Sequence, residues 1–326
     1  PESRNQDHFP DREGPREECG VFGVYAPGRE VAKLAYFALY ALQHRGQESA
    51  GIATCEGGHI TTLRDTGLVS QVFDEGKLRA LDGDMAIGHV RYSTTGGGSW
   101  ENSQPVWRDD GREVALAHNG NLTNAVELYN ELRAKGIRFR GTSDSEIIAA
   151  LLSIEEARPI ENAVEAVMPR LKGAYSTVVM TKRAVVAFRD PYGVRPLALG
   201  KLGSDYCVAS ESCAFDIIGA EFLREVQPGE LISIGERGIE TRQVMPSPRR
   251  AHCVFEHIYF SRPDTRLEGR VLQEVRGRMG EILAREAPAD ADLVIAVPDS
   301  GNPAANGYAR VSGLPKDDGL IKNRYV

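Results

Sequence analysis

Two different patterns of apolar residues divide this chain near residue 250, and this division constrains its fold more than any other sequence feature. Before that point, short alternating apolar segments are separated by polar, glycine-rich loops, and only a few segments have helical spacing. After it, an amphipathic segment at 269–286 precedes an apolar run at 293–297 and a helical segment at 304–311. The sequence therefore predicts a sheet-rich α/β layer structure of mixed strand order, followed by the start of a parallel α/β unit.

The predicted elements of the first part are mostly strands. Strands are expected at 18–26, 85–92, 114–117, 206–210 and 230–234, as a pair within 51–63, and as a hairpin of 174–182 with 184–189, with helices at 31–43, 147–152 and 162–171. Ser143-Asp144-Ser145-Glu146 has the pattern of a capping box, which predicts a helix start at Ser143. Since the single strand at 293–297 cannot bury a parallel sheet, we expect an incomplete second domain. The predicted divisions are a leader at 1–18, a first domain at 19–250 and an incomplete second domain at 251–326.

Composition excludes several classes of function. A length of 326 residues allows two domains, and a net charge of −7 disfavours nucleic acid as a partner because phosphate binding needs clustered Lys and Arg. No apolar stretch is long enough to cross a membrane, and residues 1–18 lack the apolar centre of a secretory signal. The five scattered cysteines form no disulfide framework, so a reducing cytoplasm is the expected location.

Cys19, in Glu18-Cys19-Gly20-Val21-Phe22-Gly23, is the candidate nucleophile. A thiol needs a base to form the reactive thiolate near neutral pH, and no histidine is close in the sequence. Cleavage before Cys19 would supply a base, because a free α-amine has a pKa near 7.7–8.0. We therefore expect residues 1–18 to be removed.

Four further residues complete the chemistry of a glutaminase. The Asn119 side chain and the Gly120 backbone N–H can donate hydrogen bonds to the oxyanion of a tetrahedral intermediate. Arg91 can bind a substrate carboxylate through two parallel hydrogen bonds, and Asp144 can pair with a substrate ammonium. With Cys19 as nucleophile, this set predicts attack on a side-chain amide, a thioester intermediate and release of ammonia.

Each of these residues also has a purely structural interpretation. An Asn-Gly pair is typical of a turn, Asp144 lies within a helix cap, Arg91 suits a solvated strand face, and a cysteine in an apolar strand usually belongs to the core. The joint occurrence of the residues in this order favours the functional interpretation. The remaining motif side chains, His44, His89 and His118, are expected to form hydrogen bonds without taking part in the chemistry.

The same motifs resemble those of the glutamine phosphoribosylpyrophosphate amidotransferases, which are class II (N-terminal-nucleophile) glutamine amidotransferases. The resemblance covers nearly the whole chain after the leader and includes segments 43–51, 64–70, 88–94, 118–124, 142–146, 188–197, 259–264 and 319–326. It implies a four-layer αββα N-terminal-nucleophile hydrolase domain, followed by an incomplete parallel α/β domain of the phosphoribosyltransferase type. It also implies the roles given above for Cys19, Asn119, Gly120, Arg91 and Asp144. In the family, the ammonia displaces pyrophosphate from phosphoribosyl pyrophosphate (PRPP) and gives 5-phosphoribosylamine for purine synthesis.

The second part of the chain departs from the family pattern. The paired acidic residues and Gly/Thr-rich loop that bind PRPP in the family do not occur after residue 297, so no transferase activity is expected from these 326 residues alone. Ser300 matches a family position near the Mg²⁺ site, although a helix cap explains it equally well. Cys253 matches a [4Fe–4S] ligand of one family branch, with a free core thiol as the alternative.

The resemblance further implies a homo-tetramer and feedback inhibition by purine nucleotides. Two other functions stay open at this point. With residues 1–18 attached, Cys19 lacks a free amine, and the protein would be a catalytically silent precursor that only binds. Alternatively, the cysteine at 253 would belong to an iron–sulfur regulatory module.

Overall fold

The computed structural model describes residues 19–92 and 100–323. It divides the chain into two compact units, the first ending at His252 and the second beginning at Cys253. No helix among the described residues is both long enough and apolar enough to cross a membrane.

The described part of the first unit alternates strands with helices in mixed order. Its strands are β1 (Gly20–Tyr25), β2 (Ser49–Glu56), β3 (His59–Thr66), β4 (Met85–Arg91), β5 (Val106–Asp109), β6 (Glu113–Leu122), β7 (Gly173–Met180), β8 (Ala184–Arg189), β9 (Ala198–Leu202), β10 (Asp205–Ala209), β11 (Glu221–Glu225), β12 (Glu230–Gly235) and β13 (Gly238–Gln243). Its α-helices are α1 (Val31–Ala41), α2 (Val69–Val72), α3 (Glu75–Arg79), α4 (Ala125–Ala134), α5 (Asp144–Ile154), α6 (Ile160–Val167) and α7 (Cys213–Ile218), with short 3₁₀ helices at Gln43–Arg45, Trp100–Asn102 and Met168–Arg170.

The described strands form two antiparallel sheets that face each other. The first has the order β11-β9-β10-β1-β4-β2-β3, and the second has the order β13-β12-β8-β7-β6-β5. Helices α1 and α7 share a buried apolar core with the outer face of the first sheet, and α4, α5 and α6 do so with the second. A third core lies between the sheets and includes Val21 and Ile87 from one and Ala117 and Val178 from the other. The layers are therefore helix, sheet, sheet, helix, as the αββα prediction requires.

Most predicted elements of the first unit are confirmed. Strand β1, helix α1, the hairpin of β7 with β8, and strands β10 and β12 lie where the apolar spacing placed them. The helix start at 143 is also confirmed, because the Ser143 side chain accepts a hydrogen bond from the Glu146 backbone N–H. The second half of the predicted capping box is wrong. The Glu146 carboxylate instead accepts from the backbone N–H groups of Arg140 and Gly141 and from the Arg108 side chain at 2.7 Å.

The predicted loop at 118–124 is largely strand. Strand β6 continues through His118, Asn119 and Gly120 to Leu122 and pairs with β7 over its whole end, with Asn119 opposite Ser176. Buried polar residues interrupt the apolar alternation at the end of β6, so the predicted strand at 114–117 ended earlier than the backbone pairing does in the structure. His89 and Arg91 lie within β4, as the predicted strand at 85–92 requires.

The second unit contains β14 (Arg266–Leu267), β15 (Arg270–Val271), α8 (Leu272–Glu286) and α9 (Asn302–Ser312), with a π-helical turn at Glu256–Phe260. Helices α8 and α9 match the two predicted helical segments. The predicted strand at 293–297 is wrong for the described residues, where Val294 forms only an isolated parallel bridge with Lys316. A strand is held by hydrogen bonds to its neighbours, and this apolar segment has no described ladder beside it; Val297 is 71% exposed.

Candidate active site

Cys19 lies immediately before β1, the central strand of the first sheet as described. Cys19 is 5% exposed. It lies two residues before Val21, and because side chains alternate along a strand, it belongs to the side of β1 that faces the core between the sheets. Two hydrogen bonds with distant segments of the chain hold the backbone of Cys19 and Val21 in place. The Arg45 side chain donates from Nε to the Cys19 carbonyl oxygen at 3.2 Å, and the Val21 N–H donates to the Ser210 hydroxyl at 2.9 Å.

The structure brings four of the five predicted glutaminase residues to one narrow cavity. Cys19, Arg91, Gly120 and Asp144 all line it, although they come from four different parts of the chain. The other lining residues are Tyr92, Asn102, Gln104, His118, Thr142, Ser143 and Ser145. One space is therefore lined by the thiol of the predicted nucleophile, a guanidinium, a glycine backbone and a carboxylate. This is the arrangement that the predicted glutaminase chemistry needs.

Asn119 is the fifth predicted residue and does not line the cavity. It is fully buried in β6, on the strand face that also carries Ala115 and Ala117, between the two sheets. Neither its side-chain oxygen nor its nitrogen has a hydrogen-bond partner in the described structure. A buried amide without partners is uncommon in folded proteins, because its desolvation is not compensated. This unsatisfied donor lies next in sequence to the cavity wall at Gly120.

Gly120 must be glycine for a steric reason. Its φ is +148°, and a Cβ built on it would lie 2.0 Å from the Ala174 carbonyl oxygen on the paired strand β7. Any side chain here would displace β6 from β7. The missing side chain also leaves the backbone at residue 120 open to the cavity.

Asp144 is the first residue of α5, and its carboxylate has a defined orientation. The backbone N–H of Leu122 donates to Oδ2 at 2.8 Å, and His118 Nδ1 lies 3.8 Å from Oδ1. The carboxylate is 3% exposed. Arg91, at the end of β4, makes no ion pair with any carboxylate of the described residues, so its guanidinium is available to a ligand.

The histidines of the motifs make hydrogen bonds, as predicted. His44 Nε2 lies 2.7 Å from Glu211 Oε1, and His118 Nδ1 lies 3.1 Å from the Ser145 hydroxyl. His89 Nε2 lies 3.1 Å from the His118 carbonyl oxygen. Complete burial lowers the pKa of His89 to about 3, so the ring is neutral at pH 7 and acts as a donor to that carbonyl.

Sequence reasoning missed the residues that support the cavity wall. Gln104 accepts a hydrogen bond from the His118 backbone N–H at 2.7 Å and donates to the Ser145 hydroxyl at 2.9 Å, which joins β6 to α5. Arg45 and Glu211 form a fully buried ion pair at 2.5 Å behind Cys19. Arg45 lies in a motif that the sequence singled out, but its partner is 166 residues away and no local signal connects them.

Three cysteines behave as structural thiols. Cys55, Cys207 and Cys213 are buried, and burial raises the pKa of Cys55 and raises that of Cys207 to about 12. The thiols of Cys55 and Cys207 therefore stay protonated near neutral pH and are poor nucleophiles.

The two residues predicted to bind metals do not lie in assembled sites. Among the described residues no group of three or more His, Cys, Asp or Glu side chains could hold a metal ion. Cys253 is partly exposed, and Ser300 lies in the turn before α9. The alternative of Ser300 as the helix cap is wrong, because Gly301 occupies the N-cap position.

A larger cavity of about 380 Å³ lies at the edge where β3 and β5 end the two sheets. Arg64, Trp100, Trp107 and Arg140 are among its lining residues, and it contains none of the predicted catalytic residues. The narrow cavity at Cys19 is therefore the candidate active site, because it alone of the two is lined by the predicted nucleophile.

Comparison with known proteins gives the family of the first unit. Residues 89–216 match the family model of the glutamine amidotransferase domain. This segment includes Arg91, Asn119, Gly120 and Asp144. The fold and the site thus define the first unit as a glutamine amidotransferase domain.

Curated relatives identify the family of the whole chain. The chain is 51% identical over 325 residues to the amidophosphoribosyltransferase of Mycobacterium bovis. The aligned region covers 97% of this chain and 61% of that protein. It is 50% identical to the Methanothermobacter thermautotrophicus protein of the same name over 95% of this chain and 67% of that one, and 49% identical to the Archaeoglobus fulgidus protein over 94% and 68%. The chain belongs to the amidophosphoribosyltransferase family, and it spans about three-fifths to two-thirds of the length of these relatives.

Solved structures show the same relationship. An allosteric regulatory enzyme of purine biosynthesis matches with a TM-score of 0.90 at 43% identity, covering 94% of this chain and 66% of the other. The glutamine PRPP amidotransferase of B. subtilis, complexed with ADP and GMP, matches with a TM-score of 0.89 at 42% identity, covering 94% and 67%.

Proposed function

We propose that this chain is the glutamine-hydrolysing domain and the first part of the transferase domain of a glutamine-dependent amidophosphoribosyltransferase of purine synthesis. The observation that carries the proposal is the shared cavity of Cys19, Arg91, Gly120 and Asp144. The family relationship supports it and favours it over the silent precursor and the iron–sulfur regulatory module.

In the proposed reaction, Arg91 binds the α-carboxylate of glutamine and Asp144 binds its α-ammonium. These two charges fix the substrate so that its side-chain amide lies beside Cys19. The free α-amine of processed Cys19 accepts the thiol proton, and the sulfur attacks the amide carbon. Asn119 and the Gly120 N–H donate to the oxyanion that forms. The unpaired state of the buried Asn119 amide supports this role, since a donor already engaged elsewhere would have to break a hydrogen bond first.

Collapse of the tetrahedral intermediate breaks the carbon–nitrogen bond. The leaving nitrogen takes the proton held by the α-amine and departs as ammonia, which leaves a thioester on Cys19. Water then hydrolyses the thioester to glutamate and restores the thiol. In the complete protein, the ammonia would displace pyrophosphate from PRPP and give 5-phosphoribosylamine.

The proposed domains are the leader at 1–18, the glutaminase domain at 19–250 and the partial phosphoribosyltransferase domain at 251–326. Intact-mass measurement with N-terminal sequencing of the active protein tests the maturation step. We expect a chain that begins at Cys19. An active protein that retains residues before Cys19 would contradict the use of the α-amine as the base.

The metal sites are proposals for the complete protein only. A [4Fe–4S] cluster usually needs four thiolates, and the described residues around Cys253 do not supply them, so no step is assigned to a cluster here. For Ser300 as well, the described residues include no group of three or more His, Cys, Asp or Glu side chains that could hold a metal ion, so no step is assigned to Mg²⁺. Iron analysis and visible absorbance of the full-length protein test the cluster, and a colourless, iron-free protein would exclude it.

We further propose a homo-tetramer, inhibition by purine nucleotides and a cytoplasmic location for the full-length protein. The B. subtilis structure contains ADP and GMP, which supports nucleotide binding by this family member. The scattered spacing of the five cysteines in the sequence, which is not that of a disulfide framework, supports a reducing compartment. Sedimentation of the full-length protein with and without a purine nucleotide tests assembly and binding together.

A further inference from the structure

A buried polar cluster lies directly against the Cys19 backbone. At its centre is the Glu211 carboxylate, whose Oε1 accepts from Arg45 Nη1 at 2.5 Å and lies 2.7 Å from His44 Nε2. The side chains of Arg45 and Glu211 have no exposure to solvent. The other carboxylate oxygen lies 3.8 Å from Cys213 Sγ. A buried carboxylate is costly unless it is paired, so this cluster needs each of its partners.

The cluster connects three separated segments to the candidate nucleophile. Arg45 ends the 3₁₀ helix Gln43–Arg45 and donates to the Cys19 carbonyl oxygen at 3.2 Å. Ser210, the residue before Glu211, accepts from the Val21 N–H at 2.9 Å and donates its own N–H to the Val21 carbonyl at 2.9 Å. Two consecutive residues therefore hold the start of β1, Ser210 directly and Glu211 through Arg45.

The position of Arg45 itself depends on close backbone packing. Gly46, which follows it, approaches β4 so closely that a Cβ would lie 2.5 Å from the Arg91 backbone nitrogen. The 3₁₀ helix is thus fixed between β4 and Glu211, and the Arg45 guanidinium has little freedom to point elsewhere. The same contact fixes the backbone of Arg91, which lines the cavity.

We propose that Glu211 is a positioning residue for glutamine hydrolysis, which acts through Arg45 to fix the Cys19 carbonyl and so the direction of the thiol and the adjacent nitrogen. The negative charge of Glu211 has a second effect, because it offsets the positive charge of Arg45 near the Cys19 nitrogen. That nitrogen is the proposed base. This inference rests on the proposed function, in which the Cys19 α-amine accepts the thiol proton. The charged or titratable groups of the cavity and the cluster around Cys19 include Arg91, Tyr92, His118, Asp144, His44, Arg45, Glu211 and Cys213.

The test compares three variants of the processed full-length protein. Glu211→Gln removes the charge, Glu211→Asp keeps it on a shorter side chain, and Glu230→Gln is the control. Glu230 is 6% exposed and pairs with Arg224 through both oxygens at 2.7 and 2.8 Å, but it does not line the cavity. Steady-state kinetics with glutamine across pH, and a urea unfolding curve, are measured for each.

We expect Glu211→Gln to lower kcat for glutamine hydrolysis by about 10²-fold with little change in KM, because misplacement of a reacting group by about 1 Å has an effect of this order. The acid limb of kcat/KM should also move to lower pH, because loss of the Glu211 charge makes the surroundings of the amine more positive and disfavours its protonation. Glu211→Asp should lower kcat less and leave the acid limb in place. Glu230→Gln should change the unfolding midpoint without changing kcat.

The proposal fails if Glu211→Gln retains the wild-type kcat and pH profile. It fails equally if the loss of kcat is matched by a loss of folded protein and the acid limb does not move. Should Glu211→Gln not fold, Glu211→Asp carries the test, and an unchanged kcat there overturns the proposal. Cys19→Ala distinguishes failure of the proposed function from failure of the role of Glu211. If Cys19→Ala still hydrolysed glutamine, the proposed function would be refuted. If Cys19→Ala were inactive while Glu211→Gln was fully active, only the role of Glu211 would be refuted.

Discussion

The backbone N–H of Leu122 donates a hydrogen bond of 2.8 Å to the carboxylate of Asp144, which joins the end of β6 to the first residue of α5. The strand that presents Gly120 to the cavity therefore also orients the acidic group of the same cavity. This hydrogen bond therefore couples the position of the predicted oxyanion donors on β6 to that of the Asp144 carboxylate, the predicted ammonium-binding group.

Asp144→Asn should weaken glutamine binding. The asparagine oxygen can still accept from Leu122, so the local structure should survive, while the ionic contact with the substrate ammonium is lost. Hydrogen bonds to charged groups contribute about 1.5–3 kcal/mol, so KM for glutamine should rise by roughly 10- to 150-fold. Steady-state kinetics of the full-length protein measure this. If the ammonia-dependent synthesis of phosphoribosylamine fell in parallel, the assignment of Asp144 to glutamine binding would be wrong.

Cys19→Ser should slow or abolish glutamine hydrolysis, because a serine hydroxyl is a much weaker nucleophile near pH 7 than a thiolate. Cys55→Ser is a matched control, since Cys55 is a buried thiol of β2 that does not line the cavity. The control should retain turnover per folded molecule. Glutamate release measured for both variants gives the answer, and unchanged turnover in Cys19→Ser would remove Cys19 from the mechanism.

Asn119→Ala should lower kcat by about 10²–10³-fold if the side chain donates to the oxyanion. The substitution removes an amide that has no partner in the described structure, so the loss of stability should be small compared with the loss of rate. Kinetics and urea unfolding of the same samples compare the two quantities. An increase of KM with an unchanged kcat would indicate instead that Asn119 contributes to binding.

Stability should depend on pH through His89. Burial holds its pKa at about 3, below the ordinary 6.5, so between these values the unfolded chain binds a proton that the native protein does not. The contribution of His89 to stability is therefore complete above about pH 6.5 and is lost progressively as the pH falls towards 3.

His89→Gln keeps a donor for the His118 carbonyl and removes the titration, so its unfolding midpoint should fall less between pH 7.5 and pH 5 than that of the wild type. His59→Gln, at an exposed position of β3, is the control and should behave as the wild type does. Urea unfolding at the two pH values measures the difference. Equal pH dependence in His89→Gln and the wild type would show that His89 does not titrate on unfolding in this range.

The spacing of apolar residues and the positions of turn and cap residues were sufficient to predict most of the secondary structure of the first unit. Strand β1, helix α1 and the β7–β8 hairpin follow from apolar spacing and turn residues, and the start of α5 follows from Ser143, because these signals act between residues close in the chain. The grouping of Cys19, Arg91, Gly120 and Asp144 at one cavity was also predicted, because the proposed reaction on a free amino acid amide needs a thiol, a guanidinium, a backbone donor and a carboxylate together.

Contacts between distant segments account for what the sequence did not reveal. Strand β6 extends to Leu122 because β7 pairs with it, and Glu146 leaves the capping box because Arg108 lies beside it. The apolar segment at 293–297 has no neighbouring ladder in the described chain and so is not a strand. Glu211 meets Arg45 across 166 residues, and the free energy of that ion pair depends on complete burial, a property of the assembled layers that no short stretch of sequence encodes.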